Sequence, residues 1–437
     1  MADVRPFCGI RYSPSVVGDL SDVLCPPFDS ISISHAETLR GRSVYNTVNL
    51  ELAPDGTKES LEGSIYTRRG AQIRRWLDEE VLVREPSPAM YVLEEEYVLH
   101  GVLRRRRGLM ALVRLEELDS GVVVLHENTN PAPKADRLAL MKTTRINLSP
   151  LLALFHDTDG VMSRLLDRAG TDGHTLDTHL EGVSRYRLHT VTEPRALSEI
   201  TQAMESRQVF LADGHHRYEA ALSYRDHLED SEGPLSPNAS ARYIMMNLVP
   251  TNDSGLQVLP FHRLASGLSK QAVGSLRGTV DGTFDSSVPG VQMGSAKAIA
   301  SHITGRLAAQ PPSEFIVAAL GLEPGKLQFL TLPEGRDPRT GGPPLERSDM
   351  WVLHSKAITP ALGGEIERKS VSLTNDTVEA VERVQSGKAQ VGFFLRGLPM
   401  ELFYEVVGDG GRLPPKTTCF WPKLPTGLVL SDLQGDL

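Results

Sequence analysis

"VFLADGHHRYEAAL", residues 209 to 222, decides how this chain is read. The apolar run Val209 to Ala212, then Asp213 and Gly214, then apolar positions at helical spacing predict a strand that turns sharply into a helix. Tyr218, Ala221, Leu222 and Leu228 share one face of that helix, which anchors it to a sheet. The turn leaves backbone N–H groups free, with the positive end of the helix dipole behind them. Asp213 is suited to cap the helix, and Gly214 allows a phosphate to approach the backbone closely. His215, His216 and Arg217 fill the first turn, where the dipole disfavours cations, and an anionic ligand would balance that placement. The bland alternatives are a purely structural cap and ordinary surface or core histidines. A metal site made of Asp213 with both histidines is disfavoured, because adjacent helical residues point about 100° apart.

Working outward, the chain reads as mixed α and β throughout. "AQIRRWLDEEVL" (71 to 82) has helical spacing, and "AMYVLEEEYVLHG", "VLRRRRGLMALVRLEEL" and "GVVVLHENT" read as consecutive strands of antiparallel hairpins. The run Arg104 to Arg107 reads as a solvated strand face. A helix opening near Pro133 follows, then two more helices before the strand at 209. "ARYIMMNLVP" and "GLQVLPFHRL" read as strands returning to the same sheet, and the texture changes from about residue 265 to helices alternating with short strands. "PEGRDPRTGGPPLERSD" (333 to 349) reads as a loop and "GDGGRLPPKTTCFWPKLPTG" (408 to 427) as irregular. The expected class is α+β, with three parts: an N-terminal segment over 1–89 packed on the core, the core over 90–264, and an α/β C-terminal domain over 265–437.

Composition bounds the function. The chain has 437 residues, 40% hydrophobic and 23% charged, which is enough for more than one core and matches neither a disordered nor a membrane protein. The net charge of -9 argues against a surface made for nucleic acid, while a small anionic ligand can still find a locally positive pocket. Cys8, Cys25 and Cys419 are an odd set without CxxC spacing, so neither a disulfide framework nor a structural zinc site is expected. With no signal-peptide pattern and no apolar run of about 18 residues, the expected location is the cytoplasm. Walker A, GxGxxG, HExxH and GxSxG patterns do not occur, which argues against a P-loop enzyme.

A second constellation is "HENTNPAPKADRL", residues 126 to 138. His126, Glu127 and Thr129 end a strand; Lys134, Asp136 and Arg137 open the next helix. A carboxylate in that place can accept a hydroxyl proton during phosphoryl transfer while cations stabilise the phosphate charge. The bland reading is a salt-bridge cluster at a helix start. Weaker candidates are Asp29 in "CPPFDSI", a carboxylate after two rigid prolines, and Lys416, Thr417, Thr418 and Lys423 near the end, in a segment that could close over a ligand or dock as a structural loop.

"ADGHHRYEAAL" resembles the nucleotide-cradling box of the ParB/sulfiredoxin superfamily, and its DGHHR form is similar to archaeal free-serine kinases. Over nearly the whole chain, "RPFCGIRY", "CPPFDSI", "HENTNPAPKADRL", "ADGHHRYEAA", "LPFHRL" and "PPKTTCFWPKLPTGL" resemble a bacterial family called domain of unknown function ten-fifteen. The resemblance implies a ParB/sulfiredoxin-like nucleotide-binding core and a phosphotransferase that uses ATP or ADP on a small hydroxyl-bearing metabolite, with free serine as first guess. It implies Glu127 as general base, Asp213 and Gly214 shaping the turn, and His215, His216 and Arg217 on phosphates, with Lys134 and Arg137 as further phosphate ligands. Mg²⁺, with Asp213 as its ligand, is implied by the reaction class. Two rivals stay open: a nucleotide-gated switch like ParB proteins, which lacks its expected basic DNA-binding domain here, and a metal-dependent phosphoesterase.

Overall fold

A computed structural model describes residues 2–437 except 53–63, 171–174, 181–183, 290–293, 335–341, 409 and 415; part of the 333 to 349 stretch therefore lies outside the described residues. The chain is α+β and divides into two compact units, Met1–Gln257 with Pro422–Leu437, and Val258–Trp421. The division falls earlier than the texture change at 265, and the last residues return to the first unit. Among the described residues no helix is long and apolar enough to cross a membrane.

The first unit is built on a nine-stranded sheet. Its strands are β1 (Val4–Arg5), β2 (Met90–Leu99), β3 (Val102–Arg114), β4 (Val123–Leu125), β5 (Leu151–Phe155), β6 (Leu176–Leu180), β7 (Ser184–Val191), β8 (Val209–Asp213) and β9 (Tyr243–Pro250). Their order is β4-β8-β5-β9-β3-β2-β7-β6, with β1 on β3. β2 and β3 form the expected hairpin; His100 and Gly101 at its tip have φ of 52° and 78°, as a type I′ turn requires. β4 does not continue that meander. It pairs parallel with β8, Val123 opposite Val209 and Leu125 opposite Leu211.

The arginine run is not a uniformly solvated face. Hairpin register sets Glu94, Glu95 and Glu96 opposite Arg107, Arg106 and Arg105. Because side chains alternate along a strand, Arg106 and Glu95 turn inward together and are fully buried, while Arg105 and Arg107 pair with Glu96 and Glu94 at 3.2 and 3.0 Å on the other face. Arg106 donates to Glu95 through Nε (2.7 Å) and Nη2 (2.9 Å), and Nη2 also reaches the Pro422 carbonyl at 2.8 Å.

The unit's helices include α1 (Ser64–Asp78), α2 (Pro131–Thr144), α3 (Val161–Ala169), α4 (Pro194–Glu205) and α5 (His215–Glu232). α2 starts two residues before Pro133, with Pro131 in its first turn. Tyr218, Ala221 and Ile200 join Leu109, Ala153 and Leu248 in one core. The returning C-terminal segment is stitched in by backbone pairs: Cys25 N–H to Thr426 O at 3.3 Å with its reciprocal at 2.8 Å, and Ile10 with Leu430 at 2.8 Å each way. Segments quoted above as far apart in sequence therefore meet in one body.

The second unit holds a six-stranded sheet. Its strands are β10 (His262–Ala265), β11 (Asp285–Ser287), β12 (Val317–Leu320), β13 (Leu327–Thr331), β14 (Val371–Thr374) and β15 (Val391–Phe394), in the order β11-β13-β12-β15-β10-β14. "LPFHRL" lies here. Arg263 is buried and donates through Nε to His354 at 3.0 Å, and His354 in turn bonds Glu367 at 2.5 Å.

Candidate functional site

β4 and β8 run parallel side by side, and each leads into a helix at the same end, α2 and α5. Leu125 opposite Leu211 is the last registered pair, and Glu127 and Asp213 each follow it by two residues at that end of the two strands. The sequence places both residues in turns that follow apolar strands; only the pairing brings the turns together.

Gly214, not Asp213, is the cap residue of α5, with φ 97° and ψ 25°, and no side chain caps the helix. This corrects the expectation for Asp213. A Cβ at Gly214 would lie 2.9 Å from Leu151 Cγ and 3.0 Å from Arg217 Nη2, so both conformation and space require glycine.

Asp213 lies between two cations. Lys423 Nζ bonds Oδ1, and Arg217 Nη2 donates to Oδ2 at 3.1 Å. Burial alone would raise its pKa; Lys423 and Arg217 outweigh that and hold it down to about 2, so it is ionised at neutral pH. Arg217 is held further by Nη1, which donates to Ser149 Oγ at 2.7 Å and Pro150 O at 3.0 Å. Its buried Nε has no partner among the described residues.

The two histidines differ. His215 is buried against His126, rings edge to face with centroids 4.5 Å apart. His126 Nδ1 faces the Leu211 carbonyl at 2.6 Å and His215 Nε2 at 3.2 Å, which puts the proton of His126 on Nδ1. Burial lowers the His126 pKa to about 4 and that of His215 well below its usual value. His216 Nε2 accepts the backbone N–H of Asn130 at 2.8 Å, tying the start of α5 to the start of α2. Neutral His215 therefore needs no anion to balance the dipole. That argument from the sequence applies to Arg217 alone.

The other expected residues are placed as follows. Lys134 pairs with Glu219 on α5 at 3.5 Å. Arg137 is buried, with its guanidinium bonded to Glu51 and Asp136 and stacked 3.9 Å over the Phe28 ring. That is the environment of a structural cation, and it joins "CPPFDSI" to "PKADRL". Asp29, beside Phe28, is exposed. Lys416 and Thr417 belong to the second unit and Lys423 to the first. Sequence reasoning missed Ser149 and the pairing of His126 with His215. No local pattern marks Ser149, whereas His126 already stood in the second constellation.

A family model described as "Protein of unknown function (DUF1015)" matches residues 4–339. The chain belongs to this family. No curated protein matches the sequence. Among solved structures, a conserved hypothetical protein from Pyrococcus furiosus is 15% identical with a TM-score of 0.34, covering 72% of this chain and 93% of its own. A free serine kinase in complex with AMP is 14% identical with a TM-score of 0.36, covering 75% and 91%. A variant of a free serine kinase in complex with ADP is 13% identical with a TM-score of 0.36, covering 75% and 92%.

The turn fits a phosphate. Gly214 leaves the backbone approachable, no side chain caps the helix start, and Arg217 and Lys423 supply cations. It does not fit a divalent metal as arranged. Both Asp213 oxygens face cations, and among the described residues no group of three His, Cys, Asp or Glu side chains could hold a metal ion.

Proposed function

We propose that this site binds the phosphates of ATP or ADP and transfers a phosphoryl group to a small hydroxyl-bearing metabolite, free serine being the first acceptor to test. The observation that carries the reading is the turn at Gly214: a left-handed glycine with no room for a Cβ, an uncapped helix start, and an arginine whose buried Nε is unpartnered. The resemblance of DGHHR to the free-serine kinase motif supports it.

In this reaction the acceptor hydroxyl gives its proton to the Glu127 carboxylate while its oxygen attacks the terminal phosphorus. The bond from that phosphorus to the bridging oxygen breaks, and the nucleotide leaves one phosphate shorter. Arg217 and the first amides of α5 hold the charge spread over the phosphoryl oxygens. Asp213, ionised, orients Arg217 and moves no proton. His215 packs the turn against β4 through His126, and His216 fixes the α2 start by accepting from Asn130. Asp213 is not assigned a metal, because its oxygens face cations.

The test is phosphate transfer from labelled ATP or ADP to a panel of small alcohols including serine, with wild type and Glu127→Gln side by side. The variant keeps size and most hydrogen bonds but cannot accept the proton, so nucleotide binding should survive while turnover falls about 10²-fold or more. Transfer at the wild-type rate rejects Glu127 as base. Nucleotide binding by wild type without transfer to any acceptor favours the nucleotide-gated switch.

A further inference from the structure

Helices α1 and α2 touch at Gly70, where a Cβ would lie 2.5 Å from the Thr143 carbonyl oxygen. Beside that contact lies an open cavity of about 430 Å³, within the size range of small-molecule sites. Its walls come from α1, the strand Leu82–Arg84, the end of α2 with the turn after it, and Gln434 of the returning segment, all in the first unit. Four cations line it: Arg74 from α1, Arg84 from the strand, and Lys142 and Arg145 from the end of α2. Ile73, Leu77 and Ile146 give it an apolar side.

Among the described residues no carboxylate lines this cavity. Arg84 pairs with Asp432 at 2.5 Å, and Arg145 reaches the neutral Gln434 at 3.5 Å. Arg74 and Lys142 have no side-chain hydrogen bond or ion pair among the described residues. The carboxylates closest along the chain are placed elsewhere: Glu85 pairs with Arg11, Glu232 ends α5, and Asp78, Glu79 and Glu80 close α1 outside the lining without pairing to any of the four cations. Asp432 offsets one of the four charges, and the rest face the cavity. The dipole of α2 favours Lys142 and Arg145 at its C-terminal end, but it does not account for Arg74 and Arg84, which arrive from other elements. Arg145 also holds the left-handed cap of α2, φ 55° and ψ 29°, where glycine is the usual residue.

We propose that this cavity is an anion site for a small phosphate ester, separate from the turn at Gly214. A phosphate monoester carries nearly two negative charges and three acceptor oxygens in one group at neutral pH, which suits guanidinium and ammonium groups converging from different elements. Its organic part rests against Ile73, Leu77 and Ile146. The two sites lie at opposite ends of α2: His216 meets Asn130 where the helix starts, and Lys142 and Arg145 stand where it ends, roughly 20 Å away by the helical rise over 14 residues.

The test is calorimetric titration of the full-length protein with phenyl phosphate, inorganic phosphate and citrate at two salt concentrations. The parent is Arg217→Ala, which weakens the turn at Gly214, and it is compared with the same protein carrying Arg74→Gln, Lys142→Gln and Arg145→Gly. The three added changes fall on exposed side chains, and glycine suits the backbone at residue 145. The parent should bind phenyl phosphate more tightly than inorganic phosphate, and the added changes should weaken phenyl phosphate about tenfold or more and flatten its salt dependence. Should Arg217→Ala fail to fold, the three changes in the wild-type background give the same comparison. Phenyl phosphate bound equally with and without the three changes overturns the site, as does a parent that binds none of the probes. Citrate bound as tightly as phenyl phosphate, with the same loss, overturns the phosphate class. Neither result touches the turn at Gly214, whose nucleotide binding is read with Arg217 intact.

Discussion

Replacing Arg106 by methionine should destabilise the first unit by about 3 to 5 kcal/mol, the usual result of stripping one member from a buried ion pair. The structure sets this magnitude. Arg106 and Glu95 are both fully buried, joined by two bonds of 2.7 and 2.9 Å, and Arg106 also holds the Pro422 carbonyl. In Arg106→Met the Glu95 carboxylate keeps its burial and loses its counter-charge. The intact pair is not a large net stabiliser, because both ions are desolvated and Arg106 Nη1 has no partner among the described residues. Glu95→Leu combined with Arg106→Met should therefore recover most of the loss, short of the bond to Pro422. Buried Trp76 reports on the first unit. The assay is urea unfolding followed by its fluorescence, with Trp351 and Trp421 of the second unit changed to phenylalanine in every variant. A single variant within about 1 kcal/mol of its parent, or a double variant no better than the single, would refute the desolvated-pair argument.

Gly214→Ala should cost about 2 to 4 kcal/mol, combining left-handed strain with a Cβ 2.9 Å from Leu151 Cγ, and denaturation at the stability of wild type would sink that reading. The His126–His215 pair should make stability fall in mild acid. Burial depresses both folded pKa values, His126 to about 4, so the contribution is complete above the unfolded value of about 6.5 and is lost as pH falls. At pH 5 that amounts to about 2 kcal/mol for His126, because only the unfolded state gains the proton, and His215 acts in the same direction. Urea melts at pH 7 and pH 5 check this against His126→Gln/His215→Gln, and an equal pH loss in both proteins contradicts it.

The strand and helix around Gly214 were legible because an apolar run and a helical stripe are local signals, and Tyr218, Ala221 and Leu222 are buried as their spacing implies. Failures occur where the deciding partner is distant. The arginine run reads as solvated until hairpin register places Arg106 against Glu95. β4 reads as a third meander strand because nothing in "GVVVLHENT" announces a parallel neighbour more than eighty residues later, as Val123 opposite Val209 requires. Asp213 reads as a cap from residue type alone, whereas the φ of Gly214 moves the helix start by one residue and frees the carboxylate for Lys423 and Arg217.

That one-residue shift changes what the turn can do. A capping carboxylate would spend its oxygens on the N–H groups of α5 and block the place a phosphate would take. With glycine at the cap, the carboxylate instead turns to cations, the helix start stays uncapped, and the charge it holds in place is positive. Neutral histidines beneath and beside the turn add rigidity without charge: His215 is packed on His126, and His216 accepts from Asn130. An anion that enters here meets oriented N–H groups and cations that need no rearrangement of the backbone, which is the preorganisation that phosphoryl transfer depends on. Glu127 follows the strand beside β8 at the same end, and it is the residue to which the proposed reaction gives the acceptor's proton.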